Sequence, residues 1–300
     1  MAIFKQMKYL FNKTFLNHNI NSIYEGAYRL KDFVGLPDTD FDGGPFLELV
    51  HSADYIESIK RCCQNSDTLA EIELTPVSYK AACLAVGLTI KASEQGDFAL
   101  TRPPGHHAFR EKASGFCLFN NIAIAAVKLA NEGKKVFILD IDGHHGDGTQ
   151  AIFYKDPRVF YCSIHQQNVY PFTGTFMEIG KGDGLGKNLN IPIPENSGEK
   201  DFLKAVDKAI DTAHKFGADI IGVSAGFDGF RKDRILNLMY SYHAFYECGY
   251  RLRKQFKQVF AVLEGGYHED LKMCADMFVE GVNNGAKPSR IKWNPDLSVG

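Results

Sequence analysis

The chain has 300 residues, of which 45% are hydrophobic, a formal net charge of −2 and a pI near 6.6. This length can bury a large core, and the near-neutral charge argues against a strongly basic surface of the kind that binds nucleic acid, although it leaves a local basic patch possible. Apolar runs stay well short of the ~18 residues of a membrane span, and the N-terminus lacks a secretory signal. We therefore expect a cytoplasmic protein with no membrane or direct nucleic-acid partner, whose seven cysteines are reduced thiols.

Apolar runs predict strands, and helical periodicity predicts helices in several of the gaps between them. The predicted strands are, in chain order, 7–11, 98–100, 136–139, 159–164, 220–224 and 259–263. The predicted helices are 78–91, 122–132 and 202–216, and the Gly/Asp-rich segment 180–186 is expected to be a loop. Strands that alternate with helices favour an α/β fold, a mostly parallel sheet with helices on both faces. We expect one domain over residues 1–300.

Polar or ionisable residues follow nearly every predicted strand after the first. In chain order they are His106 and His107, then 140–147, then Ser163 and His165, then Asp228, and finally Glu264 and Tyr267. Because open parallel sheets bind their ligands at the carboxyl ends of the strands, these side chains are expected to share one crevice.

A divalent-metal site is predicted within this crevice. Asp142 and His144 are two residues apart, so extended backbone would place them on one face. With Asp228 they would supply two carboxylates and one imidazole and leave a position open for water. This ligand set suits Zn²⁺, and also Fe²⁺ or Mn²⁺.

The other polar side chains of the crevice suggest hydrolytic chemistry. His106 and His107 are the acid–base candidates, and Asp140 and Asp147 are available to orient their rings. Tyr267 lies on a Gly-Gly turn and could donate its hydroxyl to a developing oxyanion.

Five ordered motifs resemble a known family. They are Arg-Pro-Pro-Gly-His-His-Ala (102–108), Gly-Phe-Cys-Leu-Phe-Asn-Asn (115–121), Asp-Ile-Asp-Gly-His-His-Gly-Asp-Gly (140–148), Ala-Gly-Phe-Asp (225–228) and Leu-Glu-Gly-Gly-Tyr (263–267). In order and spacing the chain resembles the zinc-dependent histone deacetylase superfamily, with acetylpolyamine amidohydrolases and acetoin-utilisation proteins, from about residue 9 to 285.

This resemblance implies an arginase/deacetylase fold and a deacetylase that acts on acyl-lysine in proteins or peptides, or on acetylated polyamines. It implies metal ligation by Asp142, His144 and Asp228, with a metal-activated water as nucleophile. The implied catalytic roles are His107 as general base and then acid, His106 as electrostatic support, Asp147 and Asp140 as their respective partners, and Tyr267 as the group that polarises the carbonyl.

The resemblance also implies three further features. A narrow tunnel for an alkyl-ammonium chain would be lined by Gly115, Phe116, Tyr170 and Gly266. A structural K⁺ would lie near Asp140, Asp142, His144, Ser163 and Ile164. Arg29 would lie beside an internal acetate channel.

The chain departs from the family pattern at the expected tunnel rim. Phe172 stands where the family has a turn glycine, and the segment 233–238 replaces the usual Asp-Pro-Leu-Gly-Gly-Leu, with Arg234 in place of the proline. Both changes are expected to affect substrate preference. A polyamine substrate would require an acid at the tunnel mouth, and the sequence candidates are Glu111, Glu178 and Asp233.

Two other functions stay open. An arginase-like ureohydrolase would require a second metal, but Gly146 stands where that class has an aspartate ligand. A catalytically silent acyl-lysine binder or scaffold would have no use for the complete set of acid–base residues.

Overall fold

A seven-stranded parallel sheet forms the centre of the structure, a computed structural model that describes residues 5–19 and 22–286. Its strands are β1 (Tyr9–Leu10), β4 (Phe98–Ala99), β5 (Val136–Asp140), β6 (Val159–Gln166), β7 (Asn188–Ile193), β8 (Ile220–Ala225) and β9 (Val259–Leu263). Their order across the sheet is β1-β4-β9-β8-β5-β6-β7. A separate antiparallel hairpin consists of β2 (Thr68–Leu69) and β3 (Ile72–Glu73).

Within residues 5–19 and 22–286, seven α-helices accompany the strands. They are α1 (Ala53–Asn65), α2 (Ser78–Gln95), α3 (Asn121–Asn131), α4 (Asp147–Phe153), α5 (Glu199–Phe216), α6 (Tyr242–Gln255) and α7 (Leu271–Gly285). Short 3₁₀ segments occur at Lys13–Asn17, Ala27–Phe33, Gly44–Leu49 and Gly182–Gly184. Within the described ranges, no helix combines the length and apolar character needed to cross a membrane.

Local sequence explains where the helices begin and end. The side chain of Asn120 accepts a hydrogen bond from the backbone N–H of Ala123 and caps the start of α3. Helix α5 has Glu199 and Asp201 in its first turn, which suits the positive end of the helix dipole. It ends at Gly217, whose φ of 73° is the left-handed conformation that favours glycine at this position.

The burial of the central strands explains why their sequences are continuous apolar runs. Every residue of β5, β6, β8 and β9 is buried, as expected for parallel strands that are covered on both faces. The register places Asp140, the last residue of β5, opposite Ser163 of β6 and Ser224 of β8. The polar residues that follow these strands therefore leave the sheet at one edge.

The predicted α/β architecture is confirmed, and the strand bounds agree closely with the sequence analysis. Strand β7 was missed because its sequence, Asn-Leu-Asn-Ile-Pro-Ile, contains two asparagines and Pro192 and so lacks a continuous apolar run. The proline is compatible with β7 because this strand lies at the edge of the sheet.

A buried ion-pair network joins the N-terminal segment to the body of the fold. Arg102 is fully buried, and its Nε and Nη2 donate to the two carboxylate oxygens of Glu25 at 2.6 and 3.0 Å. Arg29 Nη1 donates to the same carboxylate at 3.2 Å. Burial alone would raise the pKa of Glu25, but the positive charges of Arg102 and Arg29 outweigh it and hold this pKa below its ordinary value. One carboxylate thus pairs with two buried guanidinium groups.

The Glu25→Ala variant is expected to lose about 3–5 kcal/mol of unfolding free energy, since it leaves two buried cations without their carboxylate. Because the folded pKa of Glu25 lies below its ordinary value of 4.5, its contribution is complete above that pH. The contribution declines as the pH falls through the folded pKa, so the difference from wild type should shrink on acidification. Urea titrations over a range of pH would measure both effects.

The matched control is Glu111→Ala, which removes an exposed glutamate and should change stability by less than about 0.5 kcal/mol. Equal stabilities for the two variants would contradict the role of Glu25.

Candidate active site

Asp142, His144 and Asp228 come together at the carboxyl edge of the sheet, where the sequence placed them. Asp142 and His144 follow β5, and Asp228 follows β8. Each residue offers one ligand atom, and these atoms all lie within 4.8 Å of one another. His144 Nδ1 is 2.7 Å from Asp228 Oδ2 and 3.3 Å from Asp142 Oδ1.

Backbone N–H groups hold both carboxylates of this cluster in place. Asp142 Oδ2 accepts from Gly265 N at 2.7 Å, and Asp228 Oδ1 accepts from Gly143 N at 2.6 Å. A Cβ atom at Gly226 would overlap the Asp142 carboxylate, so only glycine lets the backbone pass at this distance.

The electrostatics of the cluster favour a divalent cation. Burial and the neighbouring Asp142 carboxylate raise the pKa of Asp228 to about 7. Burial would lower the pKa of His144, but Asp228 and Asp142 outweigh it and raise this pKa to about 10. The raised pKa of His144 shows that the two carboxylates attract positive charge, and a divalent cation could replace the proton that they hold on this ring. With one imidazole they form a ligand set that fits Zn²⁺ or Fe²⁺.

The two adjacent histidines are each oriented by a different aspartate. His106 Nδ1 lies 3.1 Å from Asp140 Oδ2, and His107 Nδ1 lies 2.7 Å from Asp147 Oδ1. The two imidazole rings are 4.0 Å apart between centroids. These are the pairings that the sequence resemblance implied, and they leave Nε2 of His107 free to exchange protons.

The two histidines differ in protonation. Burial and the positive charge of His106 lower the pKa of His107 to about 4, despite its bond to Asp147. For His106, burial is outweighed by the charges of Asp140 and Asp142, which hold its pKa well above the ordinary value. The lowered pKa suits His107 to accept a proton at neutral pH, whereas the raised pKa of His106 favours its charged form.

Glu264 is a site residue to which the sequence analysis assigned no role. It is fully buried at the end of β9, and its Oε2 accepts from the backbone N–H groups of Gly105 and His106 at 2.7 and 3.1 Å. Its Oε1 accepts from Ser224 Oγ at 2.9 Å. Glu264 thus fixes the loop of the two histidines against the sheet. The only sequence signal for this role was that Glu264 directly follows the apolar run 259–263.

Glu264→Ala is expected to lower kcat by about tenfold or more with a smaller change in KM, because misplacing catalytic groups by a fraction of an ångström is costly. Glu264→Gln retains a carbonyl oxygen for the same two N–H groups and should restore most of the activity. Steady-state kinetics on both variants would measure this. Equal losses in the alanine and glutamine variants would contradict a positioning role.

Tyr267 is held by residues of two other segments. Its backbone N–H donates to Asp233 Oδ2 at 2.6 Å. The guanidinium carbon of Arg29 lies 4.9 Å from the centroid of its ring, and Arg29 Nε donates to Gly266 O at 2.7 Å. Arg29 therefore supports the tyrosine loop from behind, and the acetate channel beside it remains a prediction.

A cavity of about 460 Å³ opens at this edge of the sheet. Its lining combines catalytic candidates with residues of the surrounding loops: Tyr24, Glu71, Pro104, His106, His107, Gly115, Phe116, His144, Tyr170, Arg234, Ile235, Gly265 and Tyr267. Three of the expected tunnel residues, Gly115, Phe116 and Tyr170, belong to this lining. Gly266 does not, although both of its neighbours do.

Aromatic rings and one glycine shape the inner part of the cavity. The rings of Tyr170 and His107 are 5.2 Å apart between centroids, and those of Phe116 and Tyr267 are 6.3 Å apart. Gly115 has a φ of 49°, and a Cβ atom there would lie 2.5 Å from the His107 ring. A larger residue at position 115 would therefore displace the histidine.

Two of the residues expected around K⁺ lie where β5 and β6 pair. Asp140 and Ser163 are register partners in these strands. Asp140 Oδ2 accepts from Tyr161 Oη at 2.9 Å, and Ser163 Oγ is hydrogen-bonded to His165 Nδ1 at 2.8 Å. The bound K⁺ itself remains a prediction.

Of the two departures from the family pattern, Phe172 lies outside the cavity lining and the segment 233–238 contributes to it. Phe172 keeps a φ of 62°, the conformation that favours glycine, and its side chain is 78% exposed outside the cavity lining. In the segment 233–238, by contrast, Arg234 and Ile235 form part of the cavity wall.

The acid at the cavity mouth is not one of the three sequence candidates. The Asp233 carboxylate is buried and engaged by the tyrosine loop, and Glu178 Oε1 accepts from the backbone N–H groups of Gly174 and Thr175. Glu111 is absent from the lining, whereas Glu71 belongs to it.

The carboxyl edge of this parallel sheet carries a cluster of two carboxylates and one imidazole, with a histidine pair beside it. These features define an α/β protein with a candidate metal site. Residues 44–282 match the model of the histone deacetylase domain. The chain therefore belongs to the histone deacetylase family.

Individual relatives agree with this assignment. The chain is 38% identical over 250 residues to the chloroplastic histone deacetylase 10 of Oryza sativa subsp. japonica, covering 74% of the chain and 56% of that protein. It is 39% identical over 204 residues to the acetylpolyamine amidohydrolase of Burkholderia pseudomallei, covering 67% of the chain and 60% of that protein. The crystal structure of the HDA15 HD domain superposes with a TM-score of 0.84 at 28% identity, covering 91% of this chain and 90% of that one. The chain spans little more than half the length of the two sequence relatives.

Proposed function

We propose that this chain is a zinc-dependent deacetylase that hydrolyses an N-acyl group from acyl-lysine or from an acetylated polyamine. The observation that carries the proposal is the 2.7 Å contact between His107 Nδ1 and Asp147 Oδ1, in a cavity that is also lined by the metal-ligand candidate His144 and by Tyr267. A base, a cation site and a hydroxyl donor around one cavity are the groups that amide hydrolysis requires.

The metal would be held by Asp142, His144 and Asp228. A divalent ion, Zn²⁺ or Fe²⁺, would supply a lowered water pKa, from ~15.7 towards ~7, and would polarise a carbonyl. A structural K⁺ near Asp140 and Ser163 would add positive charge behind these ligands.

The protein's own groups would perform the proton transfers. His107 Nε2 accepts the proton of the attacking water while Asp147 holds the opposite ring nitrogen. The Tyr267 hydroxyl donates to the oxyanion that develops on the substrate carbonyl. The charged ring of His106 stabilises the same negative charge. His107 then returns its proton to the leaving amine, which completes the hydrolysis.

The two alternative functions are less well supported. A Cβ atom at Gly146 would overlap the Asp140 carboxylate, so this position has no room for a second metal ligand of the arginase type. A silent acyl-lysine binder would need the cavity and its aromatic residues, but it would not need a histidine bonded to an aspartate.

The test is release of acetate by the purified, zinc-loaded protein from an acetyl-lysine peptide and from N-acetylputrescine. His107→Ala should lower the rate by about 10²–10⁴-fold, the usual contribution of a general base. His214→Ala, which removes an exposed histidine of α5, is the matched control. A folded, metal-loaded protein that releases no acetate from either substrate would contradict deacetylation and favour a longer acyl group or a binding role.

A further inference from the structure

The rim of the catalytic cavity carries one acid and one base. Apart from its three histidines, the charged side chains among the described residues of the lining are Glu71 and Arg234. They belong to separate segments, one before the histidine pair in sequence and one after the last metal-ligand candidate.

Glu71 is positioned by the turn of the small hairpin. Ala70 and Glu71 join β2 to β3 with φ angles of 50° and 67°, both in the left-handed region. This turn is tied to the tunnel, because Phe116 N donates to Ala70 O at 3.0 Å. Glu71 therefore follows directly after the residue that is bonded to Phe116, and both Glu71 and Phe116 line the catalytic cavity and a neighbouring groove of about 410 Å³.

Arg234 is positioned by the residue before it. The Asp233 carboxylate is buried and accepts hydrogen bonds from the backbone N–H groups of Ile235 and Tyr267. This anchor ties the loop to the tyrosine turn, and it places Arg234 and Ile235 in the cavity wall.

Neither rim charge is neutralised by the protein. Within the described part of the chain, neither the Glu71 carboxylate nor the Arg234 guanidinium takes part in an ion pair or a side-chain hydrogen bond. Asp233 and Glu264 near the same site are, by contrast, engaged by backbone N–H groups. An exposed acid and an exposed base that both line one cavity are available to a ligand that carries both charges.

We propose that the rim recognises the α-amino-acid group of a free Nω-acyl diamino acid, of which Nε-acetyl-lysine is the type compound. The α-ammonium would pair with Glu71 and the α-carboxylate would form a bidentate pair with Arg234. The acylated side chain would enter the cavity towards His107. This inference rests on the proposed deacetylase function and selects its substrate class.

The charges of the rim favour this class over the two rivals. An acyl-lysine inside a peptide has neutral amides at both backbone positions, so it can form hydrogen bonds but no ion pair with either rim charge. An acetylated polyamine would be attracted by Glu71 but repelled by Arg234. The volume of the cavity, about 460 Å³, is in the range of pockets for small molecules.

The experiment compares three substrates with the same reacting amide on the zinc-loaded protein. They are free Nε-acetyl-lysine, its Nα-acetyl methylamide, which has no charge, and N-acetylcadaverine, which has only an ammonium. Glu71→Gln and Arg234→Gln should each lower the kcat/KM of the free amino acid, relative to that of the neutral compound, by about tenfold.

For N-acetylcadaverine, the two variants should change the relative kcat/KM in opposite directions. Relative to the neutral compound, its kcat/KM should fall in Glu71→Gln and rise in Arg234→Gln, because only the arginine repels the ammonium. The matched controls are Glu111→Gln and Arg231→Gln, which remove exposed charges outside the cavity lining and should not alter these ratios.

Calorimetric binding of the same three compounds separates this inference from the proposed function. If acetate is never released but the free amino acid binds with the expected dependence on both charges, deacetylation is wrong and the recognition stands. If the three compounds are hydrolysed and neither variant changes their ratios, the deacetylase stands and the inference is wrong. A preference for N-acetylcadaverine that depends on Glu71 alone would replace the amino acid by a polyamine. Absence of both binding and hydrolysis would contradict both proposals.

Discussion

Tyr267→Phe is expected to lower kcat by about 10²–10³-fold, the usual cost of removing one donor to an oxyanion. Phenylalanine preserves the ring that stacks on Arg29 and the edge contact with Phe116, so only the hydroxyl is lost. KM, metal content and unfolding free energy should therefore stay close to wild type. Steady-state kinetics, metal analysis and thermal unfolding on one preparation would measure all of these quantities.

Tyr246→Phe is the matched control for this prediction. It also removes a buried tyrosine hydroxyl, one that accepts a hydrogen bond from Asn284 Nδ2 at 3.2 Å, but Tyr246 belongs to α6 and lies outside the cavity lining. Its kcat should match that of wild type. If Tyr267→Phe retained full turnover, Tyr267 would not polarise the carbonyl, and that role would fall to the metal alone.

Asp228→Ala is expected to abolish metal binding and to reduce activity by at least about 10³-fold. The variant removes one of three protein ligands, and the two that remain form an incomplete site. It also leaves the N–H of Gly143 without its acceptor. Wild type should retain about one zinc per chain after dialysis, and the variant should retain almost none. Elemental analysis and acetate release would measure the two effects.

Asp228→Asn separates loss of the ligand from damage to the fold. Its amide oxygen can still accept from Gly143 N, so this variant should stay folded while it loses most of its affinity for zinc. Asp211→Asn, on the exposed face of α5, controls for the change of charge. Full zinc occupancy in both Asp228 variants would contradict the assigned ligand set.

Much of the site could be predicted from the sequence because it is built at the ends of consecutive buried strands. Parallel strands that leave a sheet at one edge bring their next residues together whatever lies between them in the chain. For this reason Asp142 and Asp228, which are far apart in sequence, could be assigned to one cluster. The pairing of His107 with Asp147 and of His106 with Asp140 came instead from the family resemblance, because the strand ends indicated only that these four residues are neighbours.

The rim of the cavity could not be predicted in this way. Glu71 reaches the mouth through a two-stranded hairpin outside the main sheet, and nothing in its local sequence signals this. Asp233 and Glu178 look like solvent-facing acids in the sequence, yet backbone N–H groups of distant or looped segments engage them. Such contacts depend on how the loops fold back, which periodicity does not describe.

The register of β5 has a consequence for how this protein can change over time. Asp140 lies at the end of β5, which pairs with a buried strand on each side. Glu71, by contrast, lies in the turn of a short hairpin, and Arg234 lies in a loop. Replacements at the two rim positions would leave the sheet and the histidine pair in place. Substrate choice can therefore drift by single substitutions while the reaction itself is inherited unaltered.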